Sequence, residues 1–327
     1  MEFTERTELE KGFAALFHDR VRPALMSLES QRVERLAKSR RWMAMVFFGA
    51  LAVAVLLFVA FSGDWRVFVG IVLVILGGIG ALVARSIQAA GWSGAVEQAV
   101  MPAVCEHIGD LTYSSKANHN CPVGEMRALG MLPSYSSSSL SDDLRGRYRE
   151  TDFELVEARL SKKTQGSDGK SKSKTVFRGL LFHIAVPVEI PTRILITRDM
   201  GAIGNKLSAF FSGDKGRGMP KVDMPHEAFE AVFEVHADDP DTARDYLPPA
   251  FLDSLLAIGE EEGGKRGTKS MAAGFRDRSF YLALNRGGEF LKMGSLSTPV
   301  ADMEDDLHAI FADIEIVHRI IDRLHGG

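Results

Sequence analysis

Cysteine is nearly missing from this chain of 327 residues, which holds only Cys105 and Cys121. Two thiols cannot build the disulfide framework that small secreted domains rely on, and they suit a reducing compartment. An excess of one charge is missing too. Lys and Arg total 39 against 43 Asp and Glu, a net of -4, and that balance argues against a nucleic-acid partner. No segment repeats at a fixed period, which excludes solenoids and propellers. Most telling, two long stretches carry no charge at all.

Met43–Ser62 reads MAMVFFGALAVAVLLFVAFS, and Val67–Ala84 is a second uncharged run after the polar break Gly63-Asp64-Trp65-Arg66. About twenty helical residues at 1.5 Å each cross the roughly 30 Å hydrocarbon core of a bilayer. Each run is long enough to span, and the break is just long enough to turn. A signal peptide would sit nearer Met1 and would have one apolar run. Trp42 and Trp65 fall where interfacial aromatics belong, and Arg32, Arg35, Lys38, Arg40 and Arg41 crowd the approach to the first run. Flanks rich in Lys and Arg stay on the cytoplasmic side. The expectation is a two-helix transmembrane hairpin over 42–85, a multi-pass protein with both termini cytoplasmic.

Around the hairpin the period is helical. Residues 1–41 carry Leu9, Phe13, Leu16, Phe17, Leu25, Leu28 and Leu36 on one stripe of an amphipathic helix, which Pro23 should kink or restart. Residues 86–135 form a helical stalk and connector, with Ile87, Trp92, Val96, Val100, Val104 and Ile108 as the facing stripe and a bend at Pro102. From 136 to 327 the pattern changes to an α+β cytoplasmic domain. Strands are expected over Leu144–Leu160, Thr175–Pro187, Arg193–Thr197 and Ala228–Ala237. Asp239-Pro240 starts a helix. Ala272–Arg276 and Ser279–Asn285 should make a hairpin turning at Asp277-Arg278, and Asp302–Leu324 reads as a long closing helix. The result is a mostly antiparallel sheet with a closing C-terminal helix. This inventory is also compatible with a pleckstrin-homology-like barrel capped by its last helix.

Motifs that carry chemistry are scarce. Cys105, His107, His119 and Cys121 are zinc-ligand types, but the single-residue spacing within each pair is poor for a tetrahedral site. The plainer reading is a buried thiol and two surface histidines, with no metal or cofactor. Thr164–Ser171 ends in Gly-Lys-Ser, yet it begins with Thr164 where a phosphate loop needs glycine, and a strand follows. His183 reads as a hydrogen-bonded core histidine, and Asp238, Asp239 and Asp241 read as a helix start. One cluster stands out. Lys162, Lys163, Lys170, Lys172 and Lys174 fall in a Gly/Ser-rich loop opposed only by Asp168, the composition of a mobile segment drawn to anionic lipid head groups.

Several segments also carry a resemblance: Asp142–Gly146, Thr151–Glu157, Thr175–Phe182, then Phe229–Val235, Asp238-Asp239-Pro240 and Leu247-Pro248-Pro249 within Ala243–Leu256. In this order the chain resembles the bacterial membrane-anchored family known as domain of unknown function 3137, from about residue 90 to the end. The resemblance implies a bacterial inner-membrane setting and brings no established activity, cofactor or catalytic residue. The functional expectation is a binding or scaffolding domain presented at the membrane surface, with the bilayer, its anionic head groups and a protein as partners. The alternative is a membrane-tethered, hydrolase-like enzyme.

Overall fold

The computed structural model describes residues 2–60, 63, 65–117, 121–165, 171–198, 218–265, 270–286 and 293–325. The chain divides into two compact units, Met1–His107 with Lys292–Ala309, and Ile108–Leu291 with Ile310–Gly327.

The first unit is dominated by two helices, α1 (Arg22–Ala60) and α2 (Trp65–Ile108). At 1.5 Å per residue their 39 and 44 residues extend about 58 and 66 Å, well beyond one bilayer. Each therefore combines an apolar stretch with a projecting one. In the projection Phe13, Phe17, Val21 and Leu25 are buried, as are Trp92, Val96, Val100 and Val104. His107 sets its ring against Phe13 and its Nε2 2.9 Å from the Leu9 carbonyl, and Arg20 pairs with Glu106. The helices are thus antiparallel neighbours, as the two stripes suggested. Ile87 departs from its stripe and is exposed. Pro23 does not break the chain's path. A π-helical turn, Phe17–Val21, stands immediately before α1 and leaves room for a ring that would otherwise press on the carbonyl four residues back.

Further along, small residues hold the helices together. A Cβ on Gly77 would lie 2.5 Å from the Cβ of Ala50, and Gly70 sits over Ala54. Such close backbone approach is how helices associate where lipid offers no hydrophobic drive. The remaining apolar side chains point away from the pair: Phe48, Leu56, Val59, Phe68 and Leu82 are all more than 60% exposed. The core helix of a water-soluble domain would bury these groups. Arg32 also departs from expectation. It is buried, donating through Nε and Nη2 to the Glu29 carboxylate at 2.8 and 2.7 Å and through Nη1 to the Leu296 carbonyl at 2.6 Å. The basic flank is therefore Arg35, Lys38, Arg40 and Arg41.

The second unit is an antiparallel sheet with helices. Its strands are β1 (Leu111–Lys116), β2 (Ser137–Tyr148), β3 (Thr151–Gln165), β4 (Ser171–Arg198), β5 (Lys221–Val222), β6 (Phe233–Ala237) and β7 (Ser270–Asn285). The order is β1-β2-β3-β4-β6-β5, with β7 also paired to β4. The pairings form a branched path, and closure into a pleckstrin-homology-like barrel is not part of what the described strands show. Helix α3 (Val123–Leu129) follows β1, α4 (Glu227–Glu230) precedes β6, and α5 (Pro240–Tyr246), α6 (Pro249–Lys265) and the closing α7 (Glu304–Leu324) complete the set.

Strand β4 is the spine. The two strands expected at 175–187 and 193–197 are one element of 28 residues, bent where its register with β7 shifts between Ala185 and Ile194. The hairpin expected at Asp277-Arg278 is likewise one continuous strand. Asp277 takes a left-handed φ of 55° opposite the bend. The extra residues, 186–189 and 191–193, lie on β4, so β4 carries the bulge and β7 runs on past it instead of reversing. Gly179 permits the tight pairing, since any Cβ there would meet the Leu284 carbonyl at 1.9 Å. On one face Phe177, Leu181 and Leu160 pack with Met126, Leu129 and Met131. On the other, Phe275 and Phe280 meet Phe251 of α6, and Ile314, Val317 and Ile321 bury the stripe of α7. Residues 86–135 are not all stalk: β1 and α3 belong to the sheet unit. Residues 228–230, expected at the start of a strand, belong to α4, whose start His226 caps by accepting from the Phe229 amide.

Candidate functional site

The β3–β4 hairpin brings the described lysines together. Lys162 stands directly across from Lys174, Lys163 from Ser173 and Thr164 from Lys172. All four lysines are exposed, and Lys162 Nζ donates to Ser134 Oγ at 2.9 Å. Lys170 lies outside the described residues. Like charges placed directly opposite on a ladder disfavour it by about 0.2–1 kcal/mol, so this tip is electrostatically loaded for an anionic surface.

Burial pushes the Cys105 thiol up to about 11. Cys121 is pushed up further by burial, then by the Glu154 and Asp143 carboxylates. His107 is spent on Leu9 and Phe13, and His119 lies outside the described residues. Among the described residues no three His, Cys, Asp or Glu side chains could hold a metal ion. His183 is core-like, its ring stacked on Tyr281 and its Nε2 3.0 Å from Ser279 Oγ, and burial lowers its pKa. Asp239 caps α5 by accepting from the amides of Asp241 and Thr242, while Asp238 pairs with Arg193.

A cleft that the sequence did not announce opens between the β2–β3 turn, α6 and the end of α7. It measures about 630 Å³ and is lined by Arg149, Asp253, Ser254, Arg319, Asp322 and Arg323, with Ala257 and Ile258 as its apolar wall. The turn is Arg149-Glu150, and both residues hold left-handed φ values of 47° and 63°. Two-residue hairpin turns of this kind favour Asn-Gly, and a residue with a Cβ loses roughly 1–2 kcal/mol there. The strained turn places Arg149 Nη1 2.7 Å from Asp322 Oδ1. Tyr148, beside it, stacks on His318 with centroids 3.9 Å apart. Burial first and Asp322 second raise the Tyr148 hydroxyl pKa, and burial lowers that of His318. Across the cleft, Arg323 Nε donates to Ser254 Oγ at 3.0 Å, and Asp253 Oδ1 lies 2.9 Å from His226 Nε2. Arg319 and Arg323 are one helical turn apart on α7, the only hint of the cleft in the sequence.

Residues 175–325 match the family described as Protein of unknown function (DUF3137). The match covers less than half of the chain. It begins within β4 and runs through α7, so it contains the α6 and α7 walls of the cleft but not Arg149. The match starts well after residue 90, where the resemblance read from the sequence began. No curated protein matches the chain. Among solved structures, the crystal structure of the mycobacterial trehalose monomycolate transport factor A, TtfA, is similar at 7% identity and a TM-score of 0.32. The comparison covers 64% of this chain and 88% of that one.

Proposed function

We propose that the chain is a bilayer-anchored module in a bacterial inner membrane that presents the DUF3137 domain to the cytoplasm as a binding or scaffolding surface. The observation that carries this reading is the apolar exterior of the paired helices, whose outward side chains between Phe47 and Ile87 stay exposed while Gly77 and Ala50 close the inside. A bilayer is the solvent that satisfies such a surface. The basic flank Arg35, Lys38, Arg40 and Arg41 supports a cytoplasmic origin for both long segments. The lysine hairpin supports a second contact, with anionic head groups, since each Lys near such a surface is worth about 1 kcal/mol.

Trypsin reads that contact directly, because it cuts after lysine. With the full chain in nanodiscs, cleavage at Lys162, Lys163, Lys172 and Lys174 should slow at least several-fold in anionic relative to neutral lipid, and 0.5 M salt should remove the difference. Equal cleavage in both lipids would dismiss the lipid-contacting hairpin.

A further inference from the structure

We propose that the cleft framed by Arg149, Arg319 and Arg323 binds a phosphate ester. Three arginines from two separate elements line one space of about 630 Å³, within the 300–1,000 Å³ usual for small-ligand pockets. Against them stand two carboxylates, so the lining has a formal charge of +1 in a chain whose net charge is -4. The planar fork of guanidinium matches the oxygens of phosphate and can donate to two at once. The space exceeds one phosphate, and Ala257 with the buried Ile258 offers an apolar wall to the rest of an organic ester.

The carboxylates have assigned places. Asp253 faces His226. Asp322 holds Arg149 and sits 3.5 Å from the Tyr148 hydroxyl. An incoming phosphate therefore competes with Asp322 for Arg149, and the β2–β3 turn, already strained at Arg149 and Glu150, is the element that yields. Ionisable neighbours among the described residues include Glu150 in the same turn, His318 stacked on Tyr148, and His325, whose Nε2 is 2.7 Å from Thr151 Oγ1.

The phosphate could belong to a soluble metabolite or to a lipid head group, and the two are separable. The full chain is placed in maltoside micelles, which carry no phosphate, and hydrogen exchange of 148–151 and 319–323 is followed with inorganic phosphate, glycerol phosphate, or chloride at matched ionic strength. A parallel sample adds phosphatidylglycerol to the micelles. Protection by the soluble phosphates, or by phosphatidylglycerol alone, supports the site and names its source. In either case Arg323→Gln should weaken binding about tenfold, equivalent to 1.4 kcal/mol. Asp322→Asn should tighten it about threefold by removing a competing ion pair. Glutamine at the four hairpin lysines should leave protection by soluble phosphate unchanged. No protection from any phosphate source, or protection that survives both Arg149→Gln and Arg323→Gln, overturns the proposal.

Discussion

Replacing Asp313 with Ala should destabilise the sheet unit by about 3–5 kcal/mol, because it removes a carboxylate to which a buried guanidinium donates. Arg286, just past the end of β7, donates through Nη1 to Asp313 Oδ1 of α7 at 2.6 Å, and the two side chains are 9% and 6% exposed. At an exposed pair the same change would cost less than about 1 kcal/mol, so burial decides the size. The loss comes from the buried charge left with less compensation, not from a large net gain of the pair. A double replacement by apolar residues of similar size, Arg286→Met with Asp313→Leu, should therefore recover most of the stability. Chemical denaturation of the full chain in nanodiscs, followed at the aromatics of the sheet unit, measures both. A double variant as unstable as Asp313→Ala would show that the pair itself supplies the stability.

Phe177→Ala should cost a comparable 3–5 kcal/mol. Phe177 is 1% exposed in the first half of β4, within the cluster that joins Leu160, Leu181 and Met126. Direct pairing with Leu160 of β3 fixes the backbone there, and β7 joins the other edge two residues on, at Gly179, so the cavity collapses little. Phe177→Leu keeps most of the volume and should cost less than about 1.5 kcal/mol. Domains are typically stable by only 5–15 kcal/mol, so the alanine variant should denature at far lower denaturant. An unchanged midpoint for Phe177→Ala would place β4 outside the core.

Elements with a strong period were legible. The paired stripes of Phe13–Leu25 and Trp92–Val104, the two uncharged runs, the core of β4 and the closing α7 all follow from apolar spacing, because burial is what that spacing encodes. Continuity was not legible. Asp277 carries a turn's composition, yet its partner strand bends with it, so pairing decided between a hairpin and a bulge. The serine run at 136–139 hides the start of β2, since an exposed, polar stretch of ladder is held by pairing with β3 and by the Ser136 hydroxyl, which accepts from the Lys163 amide. Arg32 reads as a flank charge and becomes a buried ion pair only because Glu29 lies one turn away and Leu296 returns to it. The arginine cleft was invisible for a related reason: Arg149 and Arg323 stand 174 positions apart, and only the fold brings them to one space. The lysine hairpin is the opposite case, since its residues are local and β-pairing simply aligned them.

The central claim is that 43–84 crosses a bilayer twice and returns the chain to the side it left. Reporter fusions measure this directly, using a fluorescent protein active only in the cytoplasm and a phosphatase active only outside it, each joined after Leu111 and at Gly327. Both positions should fluoresce and lack phosphatase activity, and a phosphatase inserted at Gly63 should be active. Phosphatase activity at Leu111 or Gly327 would contradict the hairpin, and with it the cytoplasmic placement of the DUF3137 domain.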